Sequence, residues 1–115
     1  MTELVVLEGT LLATGVDIGI RRGWKKWYFV LKSNLDYYES AASFAEDEQP
    51  VGTIILDAYH VSIPNDSNGF EFQINGYPKS IRLCADNRQS RDKWIYSLQQ
   101  CVENLPLLDN YSPTQ

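Results

Sequence analysis

Half of the cations in this chain fall within one short stretch. Arg21, Arg22, Lys25, Lys26 and Lys32 are five of its ten lysines and arginines, and no acid interrupts residues 21–32. Lysine offers a compact point charge and arginine a planar fork of donors, so the chemistry open to such a stretch is capture of an anion, phosphate above all. The other candidates carry less. Glu46-Asp47-Glu48 could attract a cation, but consecutive acids lack the alternate spacing of a calcium loop and read as a solvated turn. His60 is the one histidine, which leaves no second imidazole for a base or a metal. Cys84 and Cys101 stand outside any CxxC pair and have no histidine cluster around them for zinc. Gly15–Gly23 (GVDIGIRRG) lacks the GK[ST] ending of a phosphate-binding loop and does not open a helix. No nucleophile–base arrangement emerges, and the expectation is a non-enzyme without metal or cofactor.

Most of the elements that must hold these residues are strands. Glu8–Thr14 (EGTLLAT) is short and apolar, and the glycine-rich segment 15–23 after it is a loop or hairpin tip. Trp24–Lys32 (WKKWYFVLK) has the aromatic and β-branched composition of a strand. A tight Ser33-Asn34 turn leads into a return strand, Leu35–Glu39. After a polar loop over 40–50 come Val51–Leu56, His60–Ile63, Phe70–Ile74 and Ser80–Ala85. The last two alternate, with Phe70, Phe72, Ile74, Ile81, Leu83 and Ala85 turned inward. About seven short strands separated by turn chemistry predict an antiparallel barrel or sandwich. One helix follows. Asp86 is placed to cap it, and Trp94, Ile95, Leu98, Cys101, Val102 and Leu105 form its apolar stripe. Arg91, Asp92, Lys93 and Gln99 are left to water, and Pro106 ends the helix.

With 115 residues there is room for one core and no second. Apolar residues at 43% and charged residues at 22% fit a globular fold rather than a disordered one. Fifteen acids against ten bases give a net charge of −5, which argues against duplex nucleic acid as a partner. No apolar run approaches the roughly 18 residues of a membrane span. The first residues lack the basic head and apolar stretch of a signal peptide. Two cysteines at unrelated spacing suggest free thiols in a reducing, cytoplasmic setting.

Several residues stand where one family has its markers. Gly9-x-Leu11, Trp24-Lys25-x-x-Tyr28-Phe29-Val30-Leu31, Leu35-x-Tyr37-Tyr38, Gly52-x-Ile54-x-Leu56, Phe70-x-Phe72, Leu83-x-Ala85 and Trp94 occur in the order of a pleckstrin homology domain. The sequence resembles that family over residues 7–104, leaving 1–6 as a lead-in and 105–115 as a tail or linker. The resemblance implies a mainly β fold: a seven-stranded, partly open barrel of two packed antiparallel sheets, capped at one end by the C-terminal helix. It also implies that ligands meet the opposite, loop-ringed mouth.

Family members that hold phosphoinositide headgroups resemble one another at a few positions. Lys25 matches the lysine of a Lys-x-Arg pair, and Tyr37 matches a tyrosine of the third strand. Ala13, Trp27 and Val51 stand where further basic residues are expected. A hydrogen bond to a charged group is worth roughly 1.5–3 kcal/mol, so three missing cations weaken a headgroup by orders of magnitude. The resemblance therefore implies weak, peripheral attachment to anionic lipid, a phosphoinositide or phosphatidylserine, through Arg21, Arg22, Lys25, Lys26 and Tyr37. Each cation near such a surface contributes about 1 kcal/mol. The alternative is a protein-interaction or scaffolding domain whose lipid site has decayed, with the same charges acting only as solubilising groups on a strand edge.

Overall fold

The computed structural model describes residues 4–14, 23–56, 60–64, 69–75 and 80–103. The predicted loop with Arg21 and Arg22, the turns over 65–68 and 76–79, and the tail beyond 103 lie outside these. Seven strands and two helices follow in order: β1 (Leu7–Thr14), β2 (Lys25–Leu31), β3 (Leu35–Tyr38), α1 (Ala41–Ala45), β4 (Gly52–Ile54), β5 (His60–Ser62), β6 (Glu71–Asn75), β7 (Ile81–Cys84) and α2 (Arg88–Glu103). The strands join as one antiparallel sheet in the order β4-β3-β2-β1-β7-β6-β5, which is not closed.

Side-chain alternation makes this sheet curl around a core. Trp27, Phe29 and Leu31 leave β2 on the same face that Phe72 and Ile74 leave β6 and Leu83 leaves β7, and all of them join one buried cluster. The helix α2 closes one end of it. Trp94 is 3% exposed and Leu98 fully buried. The Trp94 ring lies over β1, where a side chain at Gly9 would come 3.7 Å from Cζ2. Burying a tryptophan removes on the order of 200 Å² from water, an upper-bound stabilisation of about 5 kcal/mol. At the far end of α2 the Cys101 thiol donates to the Lys32 carbonyl at 3.3 Å, tying the helix to the β2–β3 turn.

The structure departs from the sequence-based expectation in several places. The β2–β3 connection has three residues, not two: Leu31 pairs with Leu35, and the Lys32 amide donates to the Asn34 carbonyl at 2.8 Å. The predicted polar loop over 40–50 contains α1, because Ser40 Oγ accepts from the Ser43 amide and caps it. Phe44 then packs on Tyr38 and Tyr28, with ring centroids 5.1 and 5.9 Å apart. Phe70, expected inward, is 40% exposed, since Gly69 takes a positive φ of 101° and the bend precedes the strand. Asn87 caps α2 in place of Asp86: its Oδ1 accepts from the Ser90 amide at 2.8 Å. Arg91, expected in water, is buried and bonds Asp92 through Nε and Nη2 at 3.1 and 2.9 Å. Its side chain is only 11% exposed, and the guanidinium pairs with the carboxylate of the following residue.

Candidate functional site

The mouth that the resemblance implies falls where β1 ends, β2 begins and β3 gives way to the 39–51 segment. Its floor is aromatic. Trp27 is 2% exposed and meets Tyr37 edge to face, centroids 5.4 Å apart and planes at 73°. Tyr37 also packs on Phe29 at 6.0 Å. The Tyr37 phenol lies directly over the backbone of β4, and a Cβ at Gly52 would sit on its hydroxyl. Glycine at 52 is thus required by close approach, a reason that the Gly52-x-Ile54 pattern gives no hint of.

Lys25 stands above this floor. It shares the inner face of β2 with Trp27, and its Nζ lies 4.3 Å from the centre of the indole ring. It also pairs with Glu39 Oε1 at 3.8 Å. Continuing the observed register (Tyr28 opposite Tyr38) sets Glu39 across from Trp27, so the lysine reaches diagonally over the ring to the carboxylate.

The three described cations of residues 21–32 do not form one surface. Lys25 and Lys26, both exposed, begin β2 on opposite faces, Lys26 pointing outward opposite Leu12. Lys32 lies past the other end of the strand, roughly 23 Å away at 3.3 Å per residue. Arg21 and Arg22 fall outside the described residues. Of the expected site, Lys25 and Tyr37 share the inner face, each against the Trp27 ring that lies between them. Ala13 and Trp27, two of the three departures from a basic pattern, are both 2% exposed. Val51 is exposed.

Outside the mouth the remaining polar chemistry is quiet. The Tyr28 hydroxyl donates to Glu8 Oε1 at 2.5 Å across β1 and β2. Burial first, then that hydrogen bond and the Glu8 charge, push its pKa up to about 12. Burial, with Asp36 and Asp47 adding to it, also raises Tyr38. Both cysteines are free and their pKa values are raised: Cys101 by burial, and Cys84 by burial with smaller contributions from Glu71 and Asp86. Such thiols are poor nucleophiles. His60 is exposed at the start of β5. Among the described residues no three metal-ligating side chains gather, and no helix is long and apolar enough to cross a membrane.

Sequence reasoning passed over Glu39 and the need for glycine at 52. Glu39 becomes visible only once the β2–β3 register is known.

The chain belongs to the PH domain family, whose profile matches residues 5–103. Among curated proteins, cytohesin-4 from mouse and from human is 26% identical over 125 residues, which takes in 89% of this chain. The chain spans 30% of the length of those relatives. The C-terminal PH domain of pleckstrin, solved in complex with D-myo-Ins(1,2,3,5,6)P5, is 28% identical with a TM-score of 0.68, covering 89% of this chain and 99% of that one. The Slm1 PH domain, solved in complex with phosphoserine, shares the fold at 20% identity and a TM-score of 0.71, covering 86% of this chain and 96% of that one.

Proposed function

We propose that this PH domain is a non-catalytic recruitment module that attaches weakly to anionic phospholipid at the cytoplasmic face of a membrane. Its first hairpin makes the contact. The observation that carries this reading is Lys25, half-exposed on the inner face over Trp27, within a stretch, 21–32, that holds half the cations and no acid. A headgroup phosphate would be met there, above the Trp27 ring that also packs on Tyr37. The inositol phosphate held by the C-terminal PH domain of pleckstrin, at 28% identity, supports the same ligand class. Weakness follows from the floor, since Trp27 offers no donor fork where an arginine would grip a second phosphate.

Vesicle sedimentation tests it. Binding should rise with phosphatidylserine or phosphoinositide content and fall steeply with salt, because exposed charges are screened within a Debye length. Loss of Arg21, Arg22, Lys25 and Lys26 together should abolish it. No binding at low salt, or binding that survives both high salt and loss of these four residues, overturns the proposal. One observation favours the second reading, a protein-interaction domain with a decayed lipid site: the inner-face lysine already has an acidic partner.

A further inference from the structure

We infer that Glu39 is an intramolecular competitor for the headgroup, an acidic clamp that holds Lys25 away from phosphate and sets how weakly the mouth binds. The inference deepens the reading of the mouth as an anion site and rests on it. Three observations converge on the same side chain. The first is position: Glu39 follows the last residue of β3, and the register places it across from Trp27 on the inner face that Lys25 shares. The second is contact, the 3.8 Å pair between Lys25 Nζ and Glu39 Oε1. The third is how the lysine is held: its ammonium also lies 4.3 Å from the centre of the Trp27 ring, so it is bent over the floor toward β3 instead of reaching outward. Ring and carboxylate together satisfy the one described inner-face cation of the mouth.

Both partners remain accessible, with side chains 48% and 61% exposed. The clamp is therefore a competitor and not a lock, since exposed ion pairs are individually weak. A phosphate-bearing anion must displace the carboxylate from Lys25 and also approach against its negative charge. Neutralising Glu39 removes both obstacles, whereas neutralising Lys25 removes the reason for the first.

The test is a cycle of Glu39→Gln, Lys25→Gln and the double variant, each confirmed as folded by circular dichroism. Each is titrated with vesicles of equimolar phosphatidylcholine and phosphatidylserine, and separately with a soluble inositol pentakisphosphate. Glu39→Gln should tighten binding about fivefold, the effect of freeing roughly one cation, Lys25, to meet the membrane surface. Most of that gain should vanish in the Lys25→Gln background. A Lys25-dependent gain with vesicles identifies the lipid headgroup as the source of phosphate, and the same gain with the soluble ligand identifies a free one; either supports the clamp. An equal gain in both backgrounds means that Glu39 acts only as bulk charge, and no gain means that it does not compete at all; either overturns the clamp. If the wild-type chain binds neither probe while Glu39→Gln binds through Lys25, the clamp stands and weak recruitment by the wild-type mouth is wrong. If no variant binds either probe, both are wrong.

Discussion

A designer restoring the Lys-x-Arg pattern of phosphoinositide-binding relatives would replace Trp27 by arginine, and the structure predicts that this fails. Trp27 is 2% exposed, wedged under Lys25 and against Tyr37. Truncation to alanine is the cleaner perturbation. Removing a buried tryptophan from a core typically costs about 3–5 kcal/mol, transfer and cavity together. The lost edge-to-face pairing with Tyr37 adds about 0.5–1.5 kcal/mol, and the half-exposed lysine over the ring adds about 0.5–1 kcal/mol. Partial collapse of Tyr37 and Phe29 into the space offsets some of this. The expected net loss for Trp27→Ala is about 4 kcal/mol, a large share of the 5–15 kcal/mol typical of a domain this size. Urea unfolding followed by far-UV circular dichroism reads it directly as a fall in midpoint at unchanged slope. Trp27→Arg should cost at least as much, because a guanidinium would be buried on an aromatic floor where the facing carboxylate, Glu39, is exposed and already paired with Lys25. A loss below about 1 kcal/mol for alanine, with arginine equally tolerated, would falsify the reasoning: Trp27 would then face water and the mouth would be free to accept a headgroup.

Two further outcomes follow from the same geometry. Gly52→Ala pushes a methyl group into the Tyr37 phenol and should destabilise by about 1–3 kcal/mol, the range for overpacking. Only a small part of the loss should return in the double variant with Tyr37→Phe, because the ring carbon Cζ would still lie 2.5 Å from the added Cβ, and chemical denaturation of the four proteins checks this. The second outcome concerns alkaline pH. The Tyr28 pKa is raised from 10.0 to about 12, so the folded protein keeps a proton that the unfolded chain releases. Its contribution is therefore complete below pH 10 and is lost as pH climbs toward 12. Tyr28→Phe should flatten the alkaline fall in melting temperature, and an unchanged slope would remove Tyr28 as its cause.

What the sequence determined by itself is everything that rests on local periodicity and composition. The alternation in Glu71–Asn75 and Ile81–Cys84 and the 3.6-residue stripe through Trp94 and Leu98 are each written in consecutive residues. They emerge as β6, β7 and the buried face of α2. The order of strands followed by a helix was legible for the same reason, and so was Lys25 as an exposed cation. Tertiary structure alone decided which residues meet. A two-residue turn at Ser33-Asn34 would pair Lys32 with Leu35 and put Tyr38 beside Phe29. The three-residue connection pairs Leu31 with Leu35, which brings Tyr37 inward against Trp27 and leaves Tyr38 outside for Phe44 of α1. A shift of one residue exchanges the two faces of a strand, and no single-strand pattern of tyrosines reveals which shift occurs. The same register sets Glu39 within reach of Lys25, and the β3–β4 register presses Tyr37 onto Gly52. These contacts join residues 14 or 15 positions apart in the chain, so they become visible only when the sheet has been assembled.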